Sequence, residues 1–288
     1  MDLFIAIFQG IIIASTPLVL AAIGELVVEK SGVLNLGVEG MMIIGAVTSF
    51  IVTYETGSHF LGLIAAVISA GLVASLFGLL TQYLLSNQVA TGLALTLFGL
   101  GLASLIGQTY SGISLDAFPV FDVYLLTEIP IIGSLLFNFD YLIYLSIIIV
   151  VSVYYFLNKT KLGLVLTAIG DSHDSAHSLG YSVKMVRLFA IIFGGSCAGL
   201  GGAYLSLVQT PMWVENMTAG RGWIALAIVV FAVWRPLWIL VGAYIFGGIT
   251  IIQLHVQALG VNIGAQYMSM MPYLVTIVFL VFISVNKN

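Results

Sequence analysis

Two histidines four residues apart, in His173-Asp174-Ser175-Ala176-His177, have the spacing that lets a helix turn both rings toward one zinc ion. The residue after the first histidine is Asp where a metalloprotease carries a Glu base, and the other histidines, His59 and His255, are far away in sequence. Two ligands without a third make a poor zinc site, so no metal is expected on this chain. A Ser-His-Asp hydrolase would need a Gly-x-Ser-x-Gly elbow, which the sequence lacks. The glycine-rich run Gly194-Gly195-Ser196-Cys197-Ala198-Gly199 has no following Lys to close a phosphate loop. No catalytic residue and no bound cofactor are therefore expected. Cys197 is the single cysteine, so no internal disulfide can form.

The remaining polar residues suit binding better than bond-making. Glu39 stands in Gly32-Val33-Leu34-Asn35-Leu36-Gly37-Val38-Glu39-Gly40, where three glycines can break a helix and free backbone groups beside the acid. With Asn35 it is a candidate for lining a solute path; the alternative is a carboxylate bonded to backbone or to Asn35 that only shapes the fold. Asn87, Gln88 and Thr91 offer donors and acceptors at a tight turn, where a helix cap is the competing explanation. Trp213, Glu215, Asn216 and Arg221 form a candidate contact for an external partner or a solute, although an interfacial anchor also explains Trp213.

The elements that must position these residues follow from composition. The chain has 288 residues, of which 61% are hydrophobic and 7% charged; a soluble domain carries about 25% charged residues, so the exterior here must face lipid. A net charge of -4 without any basic run excludes nucleic acid as a partner. Nine apolar segments are long enough to be expected as spans: Leu3 to Gly24, Leu36 to Tyr54, Gly62 to Leu85, Val89 to Gly107, Tyr141 to Leu157, Arg187 to Val208, Gly222 to Trp234, Leu237 to Gln257 and Ser269 to Val285. Uninterrupted apolar runs without alternation make them helices, and the fold class is an all-α polytopic bundle forming one domain over residues 1–288. Within this count Glu39 is the one acid well inside a span.

Placing Lys159, Lys161, Lys184 and Arg187 on the cytoplasmic side also puts Lys30, Arg235 and Lys287 there and leaves only Arg221 outside. The N-terminus is then external and the C-terminus cytoplasmic. The segment 108–140, with four acids and no Lys or Arg, falls outside. Small residues at helical spacing, Ala66, Ala70, Ala74 and Gly78 on one span and Gly195, Gly199 and Ala203 beside Gly194, Ala198 and Gly202 on another, are expected to let helices pack closely. The cytoplasmic loop 158–185 is expected to carry a short surface helix, with Asp171 or Ser172 as its N-cap and Gly180 as its stop.

Several stretches in order resemble the permease family of bacterial ABC importers for simple sugars, nucleosides and branched-chain amino acids. They are Gly32 to Met42, then Asn87-Gln88-Val89 with Gly92-Leu93-Ala94-Leu95, then Gly220-Arg221-Gly222-Trp223-Ile224-Ala225-Leu226-Ala227 ending at Trp234-Arg235-Pro236. Asp174-Ser175-Ala176-His177-Ser178-Leu179-Gly180 resembles the EAA-type loop that docks the ATPase, with Asp in place of Glu and Ser in place of the first Ala. The wording is closest to the nucleoside-type importers. The resemblance implies a multi-pass permease of the bacterial plasma membrane that works by alternating access. It implies coupling to a cytosolic ATPase through Asp171, Ser172, His173, Asp174, Ala176, His177, Leu179 and Gly180, with ATP and Mg on that partner. It also implies a second, homologous permease and a substrate-capturing lipoprotein. The rivals are an ion-coupled secondary transporter using Glu39 as coupling acid and an intramembrane metalloenzyme using His173 and His177.

Overall fold

The structure is a computed structural model that describes residues 2–122, 138–172, 177, 180–259, 267, 270–271, 274–275, 277–278 and 281. Its long elements are helices α1 (Asp2–Lys30), α2 (Val38–Thr56), α3 (His59–Gly78), α4 (Gln88–Gly107), α5 (Tyr141–Lys159), α7 (Val183–Tyr204) and α9 (Pro236–Ala258). Two shorter helices, α6 (Lys161–Asp171) and α8 (Arg221–Phe231), lie between them. α3 and α7 each run on through a π turn, Leu79–Tyr83 and Leu205–Gln209. Seven of these helices are long and apolar enough to cross a membrane. The seventh expected span, Gly222 to Trp234, is the 11-residue α8, and most of the ninth, Ser269 to Val285, lies outside the described residues.

Backbone contact between helices is what holds the centre. A Cβ on Gly199 would lie 2.5 Å from the Ala66 carbonyl oxygen and 2.6 Å from Ala70 Cβ, and one on Gly195 would collide with Ala74 Cβ. The two small-residue strips therefore face each other across the α3 and α7 interface. α7 serves two more neighbours at this seam: Gly45 of α2 abuts Gly199, Gly202 abuts Met42, and a Cβ on Gly24 of α1 would lie 2.6 Å from Cys197 Cβ and 2.8 Å from Gly194 O. With no hydrophobic force between helices in lipid, this proximity supplies the dispersion contacts that hold them. The seam leaves α1, α2 and α7 mostly buried within the chain, while α3, α4, α5 and α9 keep an outward face.

Two features differ from the sequence reading. α1 has 29 residues, roughly 43 Å at 1.5 Å per residue, so Glu25, one residue past the expected end of the span, is fully buried in it. Glu39 is thus not the one intramembrane acid. The loop after α5 begins instead with the amphipathic α6, capped by the Thr160 hydroxyl accepting from Gly163 N–H at 3.1 Å, and Asp171 is the last residue of α6 and not an N-cap.

Outside the spans, strands β1 (Val120–Asp122) and β2 (Asn138–Asp140) pair antiparallel with Val120 opposite Asp140. Asp140 then caps α5, its Oδ1 accepting from Leu142 N–H at 3.0 Å and Ile143 N–H at 3.1 Å. The segment after α4 is tied to the segment after α7 by Leu115 N–H donating to Pro211 O at 2.8 Å.

Candidate functional site

Two stretches of irregular backbone enter the bundle, and each must find partners for groups that lipid cannot satisfy. The first joins α1 to α2. Its donors and acceptors are met by side chains: Glu25 Oε1 accepts from Asn35 N–H at 3.1 Å, Gln88 Oε1 from Leu34 N–H at 2.9 Å, and Asn35 Oδ1 from Gly37 N–H at 2.9 Å. Thr96 Oγ1 donates to Leu36 O at 3.0 Å. Gly32, at φ 81°, turns the chain back and rests against Arg187, whose Nε donates to Ser31 O at 2.9 Å.

The second stretch runs from the end of α7 to the start of α8, antiparallel to α4. Trp213 packs into the space above Gly107 at the far end of α4, and Ser104 donates to Glu215 Oε1 at 2.7 Å. Gly220 and Gly222 reach Glu39, whose neighbour Gly40 lies against Leu95 of α4. Between Leu95 and Gly107 the helix rises about 18 Å at 1.5 Å per residue, so the chain descends about that far into the bundle without forming a helix. Asn216, Ala219 and Gly220 take left-handed backbone at φ 58°, 45° and 84° to make the descent.

Glu39 closes the two stretches on each other. Its Oε1 accepts from Thr218 Oγ1 at 2.5 Å and Gly220 N–H at 2.8 Å, and its Oε2 from Gly222 N–H at 2.6 Å. α8 has no capping side chain of its own, so an acid from α2 supplies the cap and sits at the positive end of the α8 dipole. Gly222 is required there, since a Cβ would lie 2.6 Å from both Glu39 N and Cα. An acid that shuttles ions must meet water, whereas this carboxylate is buried and its oxygens are taken up by the cap.

The other expected site residues divide by position. Asn35 is buried in the first stretch. Asn87 is the N-cap of α4, accepting from Ala90 N–H at 3.0 Å, while Gln88 holds Leu34 and Thr91 pairs with Ser86 at 2.8 Å. Glu215 and Asn216 are exposed. Trp213 is 2% exposed, so it is an internal anchor and not an external contact. Arg221 begins α8 beside Glu39 and donates to Met217 O at 2.7 Å, which places it inside the bundle and not in a surface loop. In the coupling segment Asp171 and Ser172 are exposed, and Gly180 turns at φ 86° with its N–H donating to His177 O at 2.9 Å. His173, Asp174, Ala176 and Leu179 lie outside the described residues.

Sequence reasoning missed Thr218 and Glu25. Glu25 was detectable, because Leu26-Val27-Val28 continue the apolar run past it. Thr218 lies 179 residues from Glu39, and no local pattern marks it.

Broken backbone tied by a carboxylate at depth in a helical bundle persists where it is buried in protein or lines a cavity. Residues 7–281 match the family described as branched-chain amino acid transport system / permease component. The chain belongs to this permease family. Among similar proteins, the putative glucose ABC transporter permease of Haloferax volcanii is 40% identical over 290 residues, covering 93% of this chain and 88% of that protein. The nucleoside ABC transporter permease of Lactococcus lactis subsp. cremoris and the guanosine ABC transporter permease of Bacillus subtilis are each 29% identical, covering 95% of this chain and 90% of each relative. No solved structure matches. The permease is thus a multi-pass plasma-membrane subunit of an ABC importer, not an enzyme, and it works with a separate ATPase.

Proposed function

We propose that the permease carries a small polyhydroxylated solute, in the first place a nucleoside, past the irregular stretch 210–220 by alternating access. The observation that carries this reading is the unwound backbone descending about 18 Å beside α4 to the Glu39 cap, since non-helical backbone persists at that depth where it lines a path or is buried in protein. Glu215 and Asn216 are exposed on it, and an exposed acid there needs water or another chain. Their exposure supports a second, homologous permease in a heterodimer, with the path between the two subunits. In this reading Glu39 and Asn35 build the path's wall while the solute meets the exposed polar groups.

Orientation follows from charge. Lys30, Lys159, Lys161, Lys184, Arg187 and Arg235 lie at the same end of the bundle: Arg187 bonds Ser31 O, Lys184 stacks over Tyr83 at 5.5 Å, and Lys30 and Arg235 line one cavity. That end is cytoplasmic by the positive-inside rule, which puts the N-terminus outside and the C-terminus inside. With Arg221 inside the bundle, none of these seven cations is left in an external loop. The segment Asp171 to Gly180 then faces the cytosol and docks the ATPase, which holds ATP and Mg, while a lipoprotein delivers solute to the opposite face.

The test is uptake. Cells expressing the permease with its ATPase, second permease and lipoprotein should accumulate a radiolabelled nucleoside, and removing the ATPase should abolish the signal. Gradient-driven uptake by this chain alone would refute the reading. The 40% identity to the putative glucose permease favours a sugar as the second reading, and competition by glucose in the same assay would establish it.

A further inference from the structure

Three helix ends meet at the basic end of the bundle. Lys30 closes α1, Asn158 lies in the last turn of α5, and Arg235 is the N-cap of α9. Together with Trp234 they line a cavity of about 410 Å³ whose lining also includes Tyr154 and Trp238. Those two aromatics remain exposed on the outward faces of α5 and α9.

Neither Lys30 nor Arg235 has a carboxylate partner among the described residues. Glu29, the residue before Lys30, accepts from Trp234 Nε1–H at 2.5 Å. Val233 and Trp234 hold consecutive left-handed backbone at φ 49° and 52°, a conformation that is strained for a β-branched residue. That turn joins α8 to α9 and brings Trp234 and Arg235 to the cavity.

We propose that this cavity binds one anionic phospholipid, with the headgroup phosphate between Lys30 and Arg235 and an acyl chain against Tyr154 and Trp238. The ends of spans lie at headgroup depth, where unpaired cations attract anionic lipid and indole rings settle. A soluble anion would need the cations but not the outward apolar wall.

The experiment purifies the permease complex in mild detergent and measures bound phosphatidylglycerol by native mass spectrometry. The wild type should retain lipid, also in excess inorganic phosphate. Replacing both cations, Lys30→Gln with Arg235→Gln, should lower retention roughly 25-fold, at about fivefold per cation. The charge-matched control, Lys159→Gln with Lys161→Gln, should retain lipid as the wild type does. Equal retention by the two double variants, or displacement by inorganic phosphate, would overturn the proposal. A second measurement needs no variant: brominated phosphatidylglycerol should quench tryptophan fluorescence more than brominated phosphatidylcholine, and equal quenching would count against the site.

Discussion

Replacing Glu39 by Gln tests the cap at constant shape. The glutamine oxygen can keep the bonds from Thr218 and Gly220, but its amide nitrogen then faces Gly222 N–H, which Glu39 Oε2 accepts at 2.6 Å. One charge-assisted bond is lost and a buried N–H is left without an acceptor. A bond to a charged group contributes about 1.5 to 3 kcal/mol, so Glu39→Gln should destabilise the chain by about 2 to 4 kcal/mol. Denaturant unfolding of the purified chain in mixed micelles reads this directly. Thr218→Val removes the shared hydroxyl, and a double-mutant cycle should give a coupling of about 1 to 3 kcal/mol between the two positions. A cost below about 0.5 kcal/mol for Glu39→Gln, with no coupling to Thr218, would refute the claim that this acid caps α8.

Three further outcomes follow from the geometry. Gly199→Leu inserts a side chain where Ala66 O is already within 2.5 Å of a Cβ, and should abolish folded protein in size-exclusion chromatography, whereas Gly101→Ala, at a glycine with open space around it, should not. Burial raises the Asp140 carboxyl above its ordinary value. A carboxyl raised on folding contributes stability that is full below its unfolded value of about 3.9 and declines as pH rises through the folded one; Asp140→Asn should remove this slope from a series of melts, and Asp140→Ala should cost about 1 kcal/mol through the lost cap. The only native thiol, Cys197, is buried, so a His177→Cys variant gives a clean topology test. An impermeant maleimide should label it in inverted vesicles and not in intact cells, and the reverse result would overturn the orientation.

The spans and the central seam were legible because both are written in periodicity: Ala66, Ala70 and Ala74 recur every four residues, and α7 carries its glycines on the matching faces. Lengths were less legible. An acid normally ends an apolar run, so α1 was expected to stop at Gly24, yet Glu25 is tolerated because the irregular stretch needs its oxygen for Asn35. α8 has a full apolar composition but half a span of helix, because the preceding backbone is bound by Glu39 from a distant part of the chain. Trp213 shares the second stretch with Glu215 and Asn216, with Arg221 half-buried just after it, and only the tertiary register along α4 separates the buried Trp213 from the exposed pair. Asn87 and Gln88 were read as solute ligands or as caps, and the structure gives them local capping and bridging bonds.

The glycine seam carries a mechanical consequence. At the glycines where α1, α2 and α3 approach α7, the neighbours are mostly backbone and short side chains, with Val28, Met41 and Met42 packed in beside them, so little room is left for one helix to slide. A sub-ångström displacement there already meets hard repulsion. Those four helices are therefore expected to move together as a stator. Any stroke delivered from the cytosol must be taken up at the perimeter, at joints such as the left-handed hinge between α8 and α9.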